Sequence, residues 1–269
     1  MSRIVFSLLA LSLLLSQCAP VYIPNARNTP LFTKAGEVQS TMQLGTTGID
    51  LQGAVAVTNY LALMGNFSYG NRSNNGSDIN SDTYQKHNFY EGALGYYKND
   101  GQFCFEVFLG YGQGEASSLG DYYIFSSSSG RDLAKGRYSR FFFQPSFGFN
   151  KKIVHLAFTP RISWVDFSEF QGPSVLQVDL DPALFVEPAV TAKFNFFDNR
   201  LFGTLQLGFS TQLTGNVIYE YEAFMMTTGL GFRIGGLHWT ESKKEPKPQK
   251  ETKPQKEVKT AKESEPHQD

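Results

Sequence analysis

The sequence predicts an all-β fold: a transmembrane, antiparallel, up-and-down β-barrel of about ten strands, with eight as the alternative. Three observations predict it: large apolar and small polar residues alternate with period two, short and long connections alternate along the chain, and an export segment opens the sequence. Phe141, Phe143, Phe147 and Phe149 share one parity around Phe142, Gln144, Ser146 and Gly148. Leu201, Leu205, Leu207 and Phe209 do the same around Thr204, Gln206 and Gly208. Period two sends one set to one face of a pleated strand and the other set to the opposite face. A soluble sandwich or lipocalin would bury the large set, whereas a membrane barrel turns it toward lipid and keeps the polar set in its lumen. Parity does not separate these cases. The flanking segments do.

Strands are expected near 37–46, 48–57, 60–70, 85–98, 102–116, 137–150, 153–168, 183–197, 201–213 and 222–235. Thr58-Asn59, Asn99-Asp100-Gly101, Asn150-Lys151-Lys152 and Asp198-Asn199-Arg200 are short connections with hairpin-turn chemistry. The connections near 71–84, 117–136, 169–182 and 214–221 read as long polar loops. Only Thr46-Thr47-Gly48 breaks the alternation of short and long. Short periplasmic turns and long external loops mark an outer-membrane barrel, and an even strand number puts both barrel ends in the periplasm. Tyr60, Tyr69, Tyr90, Tyr96, Tyr97, Tyr111, Tyr138 and Trp164 fall near strand ends, where amphipathic rings favour the membrane interface.

The N-terminus points to export. Arg3 precedes an apolar run, Ile4 to Leu15, that is shorter than the roughly 20 residues a spanning helix needs. Residues 1–17 therefore read as a signal peptide. Leu15-Ser16-Gln17-Cys18 resembles a bacterial lipobox, although Gln17 stands where Gly, Ala or Ser is usual. Acylation at Cys18 is expected, with ordinary signal cleavage as the alternative. Each buried CH₂ of an acyl chain would contribute about 0.8 kcal/mol to anchoring. The other cysteine, Cys104, then has no disulfide partner.

Composition agrees with an exported envelope protein. Phe (24), Tyr (13) and Gly (25) are abundant, and charged residues make up only 18% of the chain. A formal net charge of −1 argues against a nucleic-acid partner. Outer-membrane lipid is the expected partner of the barrel. Residues 18–35, with three prolines and no alternation, read as a lipid-anchored linker; 36–237 is the barrel. Residues 238–269 form a Lys/Glu/Pro/Gln-rich tail, expected to be disordered and periplasmic, with an envelope protein or peptidoglycan as its candidate partner.

Turning the large parity outward leaves Asp50, Glu91, Glu106 and Glu187 inside, with Arg140, Arg161, Lys193 and Arg233. Charges in a low-dielectric interior are costly unless paired, so this balanced set is expected to form a lumen ion-pair network that plugs the barrel. A narrow pore for ions or small solutes is the competing reading. His155 and Gln144 join the inner set, and Gly110, Gly112, Gly114, Gly229 and Gly231 make room for neighbouring rings or allow the sheet to bend.

Catalytic groupings are weak. His155 sits beside a short turn, with Ser163 and Asp166 too far along the same strand to meet it. His87 with Asp78, Asp82 and Glu91 is the better group, yet acids in an exposed loop are usually only solvated. No phosphate loop or Cys/His metal spacing is present, so no cofactor and no enzymatic activity are expected, a lipid-modifying outer-membrane enzyme being the less favoured alternative. The expected role is structural or accessory, through the external loops or the tail.

Cys18, the segments Tyr22-Ile23-Pro24-Asn25 and Asn28-Thr29-Pro30-Leu31, and Gly36-Glu37 at the entry to the first strand resemble small outer-membrane β-barrel lipoproteins of Bacteroidetes-type bacteria. The resemblance is close over the N-terminal linker and architectural elsewhere. It implies location and fold and tolerance of Gln17 in the lipobox; it does not speak to activity, and no catalytic residues carry over.

Overall fold

The computed structural model describes residues 20–74, 83–124, 127–172, 181–197, 200–215 and 220–235. It is all-β, and its strands close into one antiparallel barrel of ten crossings. Six crossings are single strands: β1 (Val38–Gly45), β2 (Gly48–Ala56), β3 (Leu61–Asn74), β4 (Thr83–Asp100), β5 (Phe103–Ile124) and β6 (Ser127–Asn150). Three are broken in two: β7 (Val154–Thr159) with β8 (Ile162–Gln171), β9 (Ala183–Val186) with β10 (Ala189–Phe196), and β11 (Leu201–Phe209) with β12 (Thr211–Thr214). The last, β13 (Phe224–Ile234), pairs with β11 and with β1. The β1–β13 pairing closes the ring.

The breaks have a local cause. Pro160, Pro188 and Pro145 lack the N–H that a ladder needs, and β6 changes partner from β8 to β7 across Gln144-Pro145-Ser146. At the breaks Phe209 N–H donates to the Pro188 carbonyl at 2.9 Å, and Arg161 and Glu187 still pair, N to O in both directions at 3.2 and 2.7 Å. The interruption holds these two side chains in the lumen at one level.

Side-chain parity sorts as a membrane barrel requires. Met42, Leu51, Phe67, Leu94, Leu109, Phe141, Phe143, Leu205 and Leu207 are exposed on the outer wall, a surface that only lipid would cover in a single chain. Tyr60 and Tyr96 stack outside at the short-turn end with ring centroids 6.1 Å apart. Tyr97 and Tyr138 differ from expectation: both turn inward and are buried. Tyr97 donates to the Thr58 carbonyl, and Tyr138 stacks on Phe89. Among the inward glycines, Gly110 is required, because a Cβ there would overlap the Phe142 ring.

The long polar loop expected near 117–136 is corrected. β5 and β6 continue as a paired hairpin to Ile124↔Ser127. Likewise β3 and β4 pair out to Asn74↔Thr83, and β8 reaches Gln171. A membrane crossing takes about 9–11 residues, so the 22 residues of β5 and the 24 of β6 rise well past it. Beyond it the apolar alternation of the sequence ends, although backbone pairing does not, and Ala116, Ser118 and Ala134 on the inner face stay buried.

The expected linker also differs. Residues 20–32 run extended through the inside of the barrel, and every one of them is buried. At the long-loop end, Val21 N–H donates to the Glu220 carbonyl at 2.9 Å and Tyr22 forms a parallel bridge with Tyr221. At the other end, Thr33 bonds Glu37, and Gly36 lies against Gly235 just beyond β13. Pro20 and Ile234 therefore stand at opposite mouths of the barrel. The termini themselves, expected to be periplasmic, lie outside the described residues.

Candidate functional site

The site is the lumen and the strap of residues 20–32 that fills it. An extended segment with no strand beside it must satisfy its N–H and C=O groups elsewhere. Lumen side chains do this. The Gln206 amide accepts from Arg27 N–H at 2.7 Å and donates to the Arg27 carbonyl at 2.8 Å, as a neighbouring strand would. Gln52 donates to the Ala26 carbonyl, Gln144 to that of Asn28 and Gln39 to that of Pro30. Glu106 accepts from Phe32 N–H at 2.8 Å. Pro24 and Pro30 carry no N–H, which lowers the number of donors the lumen must meet.

Strap side chains are held by charge. Tyr22 Oη donates to Glu187 Oε1 at 2.6 Å and accepts from Arg140 Nη1 at 3.2 Å. Asn25 donates Nδ2 to Glu91, while its Oδ1 accepts from Arg140 and Arg161 at 2.6 and 3.1 Å. The Arg27 guanidinium reaches three main-chain carbonyls, those of Asn25, Glu187 and Phe209. Asn28 Nδ2 donates to Asn66 and to the Gly53 carbonyl.

All eight charged residues named from parity are buried in the lumen, but only four meet. Arg140 pairs with Glu91, and Arg161 lies 3.7 Å from Glu91 and 2.6 Å from Glu187. Ser163 also donates to Glu187, at 2.7 Å. The Arg140 guanidinium stacks 4.2 Å from the Phe89 ring centroid. The other four residues lie apart from this centre. Arg233 pairs with Glu37 at 3.0 Å, Lys193 donates to Gln39 and to the Pro30 carbonyl, Glu106 serves the strap, and Asp50 lies across from Ser68. The ion pairs share the lumen with the backbone of the strap, which they grip.

Sequence reading missed Tyr22, Asn25, Arg27, Glu37, Gln39, Gln52 and Gln206. A signal existed. Gln39, Gln43, Gln52, Gln144 and Gln206 all fall on the inner parity, an amide series suited to bonding a backbone.

His155 is buried at the short-turn end, opposite Lys193 in register. His87 is brought to Ser68, with Nε2 3.3 Å from Oγ, and not to Glu91, which serves Arg140. Asp78, Asp82, His238 and His267 lie outside the described residues. Ser163 points into the lumen and Asp166 out of it. At the long-loop mouth, burial pushes the Glu222 carboxyl up to about 7, partly offset by the Arg72 charge; its N–H donates to the Tyr22 carbonyl.

No family model and no curated protein matches the chain. Solved outer-membrane barrels do resemble it. LpxR from Salmonella typhimurium is 8% identical with a TM-score of 0.32, and the match covers 73% of this chain and 99% of that one. The loop L8 deletion mutant of OmpT, an outer membrane protein of Vibrio cholerae, is 9% identical with a TM-score of 0.27 over 74% of this chain and 97% of that one. In-vitro folded OmpT from the same organism is 8% identical at 0.23, over 78% and 100%. These likenesses concern the barrel and bring no reaction to this chain. They do correct one expectation. The non-enzymatic assignment is withdrawn, because a barrel fold without a familiar motif is no ground for it.

Proposed function

We propose that this chain is an outer-membrane lipoprotein, exported by residues 1–17 and acylated at Cys18, whose barrel is a sleeve that grips one extended polypeptide, its own residues 20–32. The observation that carries the reading is the set of lumen amides and carboxylates bonded to strap main chain, above all Gln206 on both polar atoms of Arg27. Main-chain recognition of this kind supplies grip, and Glu91, Glu187, Arg140 and Arg161 supply register through Tyr22 and Asn25. For residues 238–269 an envelope protein or peptidoglycan is the partner the composition suits.

Two measurements test the reading. Cys18→Ala is expected to abolish incorporation of labelled fatty acid while the barrel stays in the membrane fraction; retained label would refute acylation at this residue. A protease site placed at 33–36 tests the grip. After cleavage, the strap is expected to co-elute with the barrel in detergent, and its free release would overturn the sleeve.

A second reading rests on Ser68 and His87. Their contact at the long-loop end, with Asp50 across from Ser68, pairs a hydroxyl nucleophile with an imidazole base suited to acyl-ester cleavage. Fatty-acid release from phospholipid vesicles by purified protein, lost in Ser68→Ala, would support this reading. No release above background would reject it.

A further inference from the structure

We infer that the N-terminus is carried through the barrel to the cell exterior, so that an acyl anchor on Cys18 enters the outer leaflet from outside. The inference rests on the sleeve reading and adds a direction to it. The strap enters the lumen beside Gly36 and Glu37, at the mouth where β13 ends and the short turns lie. It leaves at the mouth carrying the extended β5–β6 hairpin, where Val21 and Tyr22 bond the 220–222 segment. Long connections face outward in barrels of this class and short ones face the periplasm.

Chain length fixes where Cys18 can reach. It is two residues from Pro20, and two residues span at most about 7 Å. The lumen crossing from Tyr22 to Phe32 takes most of the strap, and the contacts at Tyr22, Asn25, Arg27 and Phe32 fix its register. Cys18 cannot return to the periplasmic mouth while these contacts hold. An anchor in the periplasmic leaflet would require the strap to leave the lumen and would strand Glu187, Gln206 and Glu106 without their strap partners.

The lipid partner is the outer leaflet, reached by acyl chains at the barrel rim. At that mouth Val21, Tyr22 and Ile23 pack against the inner side of the wall, on Ala116, Ala134, Tyr138, Val165 and Phe185, so the chain leaves along the inside of β5, β6, β8 and β9.

The test uses full-length protein in intact cells. Ala19→Cys is treated with a membrane-impermeant maleimide, with Glu251→Cys in the tail as the opposite-side control and buried Cys104 as background. A short epitope inserted between Ala19 and Pro20 gives a second readout by antibody binding, independent of thiol access near the headgroups. The expected result is epitope detection and Ala19→Cys labelling in intact cells, with Glu251→Cys labelled only after permeabilisation. Detection of both the epitope and Ala19→Cys only after permeabilisation, together with the tail, would overturn the inference. Fatty-acid labelling is scored in parallel. Surface detection without acyl label leaves the threading intact and removes Cys18 acylation, whereas acyl label with a protected N-terminus removes the outward direction alone.

Discussion

Glu187→Ala is expected to destabilise the barrel by about 3–5 kcal/mol, the cost of leaving a buried charge without its partner. Glu187 receives Tyr22 Oη, Arg161 Nε and Ser163 Oγ, and both Glu187 and Arg161 are wholly buried. Removing the carboxylate leaves the Arg161 guanidinium with only Glu91 and Asn25, and cuts the strap's hold at Tyr22. The double variant Glu187→Leu with Arg161→Met is expected to recover part of the loss, since both charges leave together. Urea unfolding in lipid vesicles, read as the loss of heat-modifiable gel migration, measures the effect. A change below about 0.5 kcal/mol, the range of ordinary surface substitutions, would show that the network does not hold the lumen together.

Deletion of residues 20–32 is the second large effect. Without the strap, Gln206, Gln52, Gln144 and Glu106 lose their main-chain partners, and only water can replace them. The deleted protein is expected to show conductance steps in planar bilayers that the intact chain lacks, together with a lower unfolding midpoint. Added synthetic peptide of the strap sequence should close the steps and raise the midpoint. A deleted barrel as silent and as stable as the intact one would mean that the strap contributes neither closure nor cohesion.

The ten crossings were legible because two physical rules write themselves into sequence: pleat alternation against lipid, and the inequality of turns on the two sides of a membrane. The β5–β6 hairpin was not legible. Above the bilayer its Ser- and Gly-rich residues have no apolar face to report, and the ladder runs on without a periodic signal. The strap was invisible for a different reason. A segment that pairs with side chains instead of a strand needs no alternation, and its three prolines read as a free linker. Its counterpart on the wall was legible in principle, since five inward glutamines have no use for a lipid-facing strand but suit an extended backbone. The interruptions at Pro160 and Pro188 show the same limit. Proline marked no loop there; it opened the ladder where Arg161 and Glu187 enter the lumen.

Eight residue pairs, from Val38↔Ile234 to Gly45↔Thr227, make the seam between the first and last strands, and that seam encloses the strap. The chain is therefore a needle threaded by one of its own early segments, and the eye is closed by its last strand. A chain acylated at Cys18 could not draw its lipid head through the closed lumen, so there residues 20–32 would lie along the open sheet before β13 docks. A lipid head on the outer side and the β1 turn on the inner side would then act as stoppers on a shaft. Extraction would require rupture of the seam rather than sliding, so the lifetime of the threaded state would follow the rate of barrel opening more closely than the strength of any single contact.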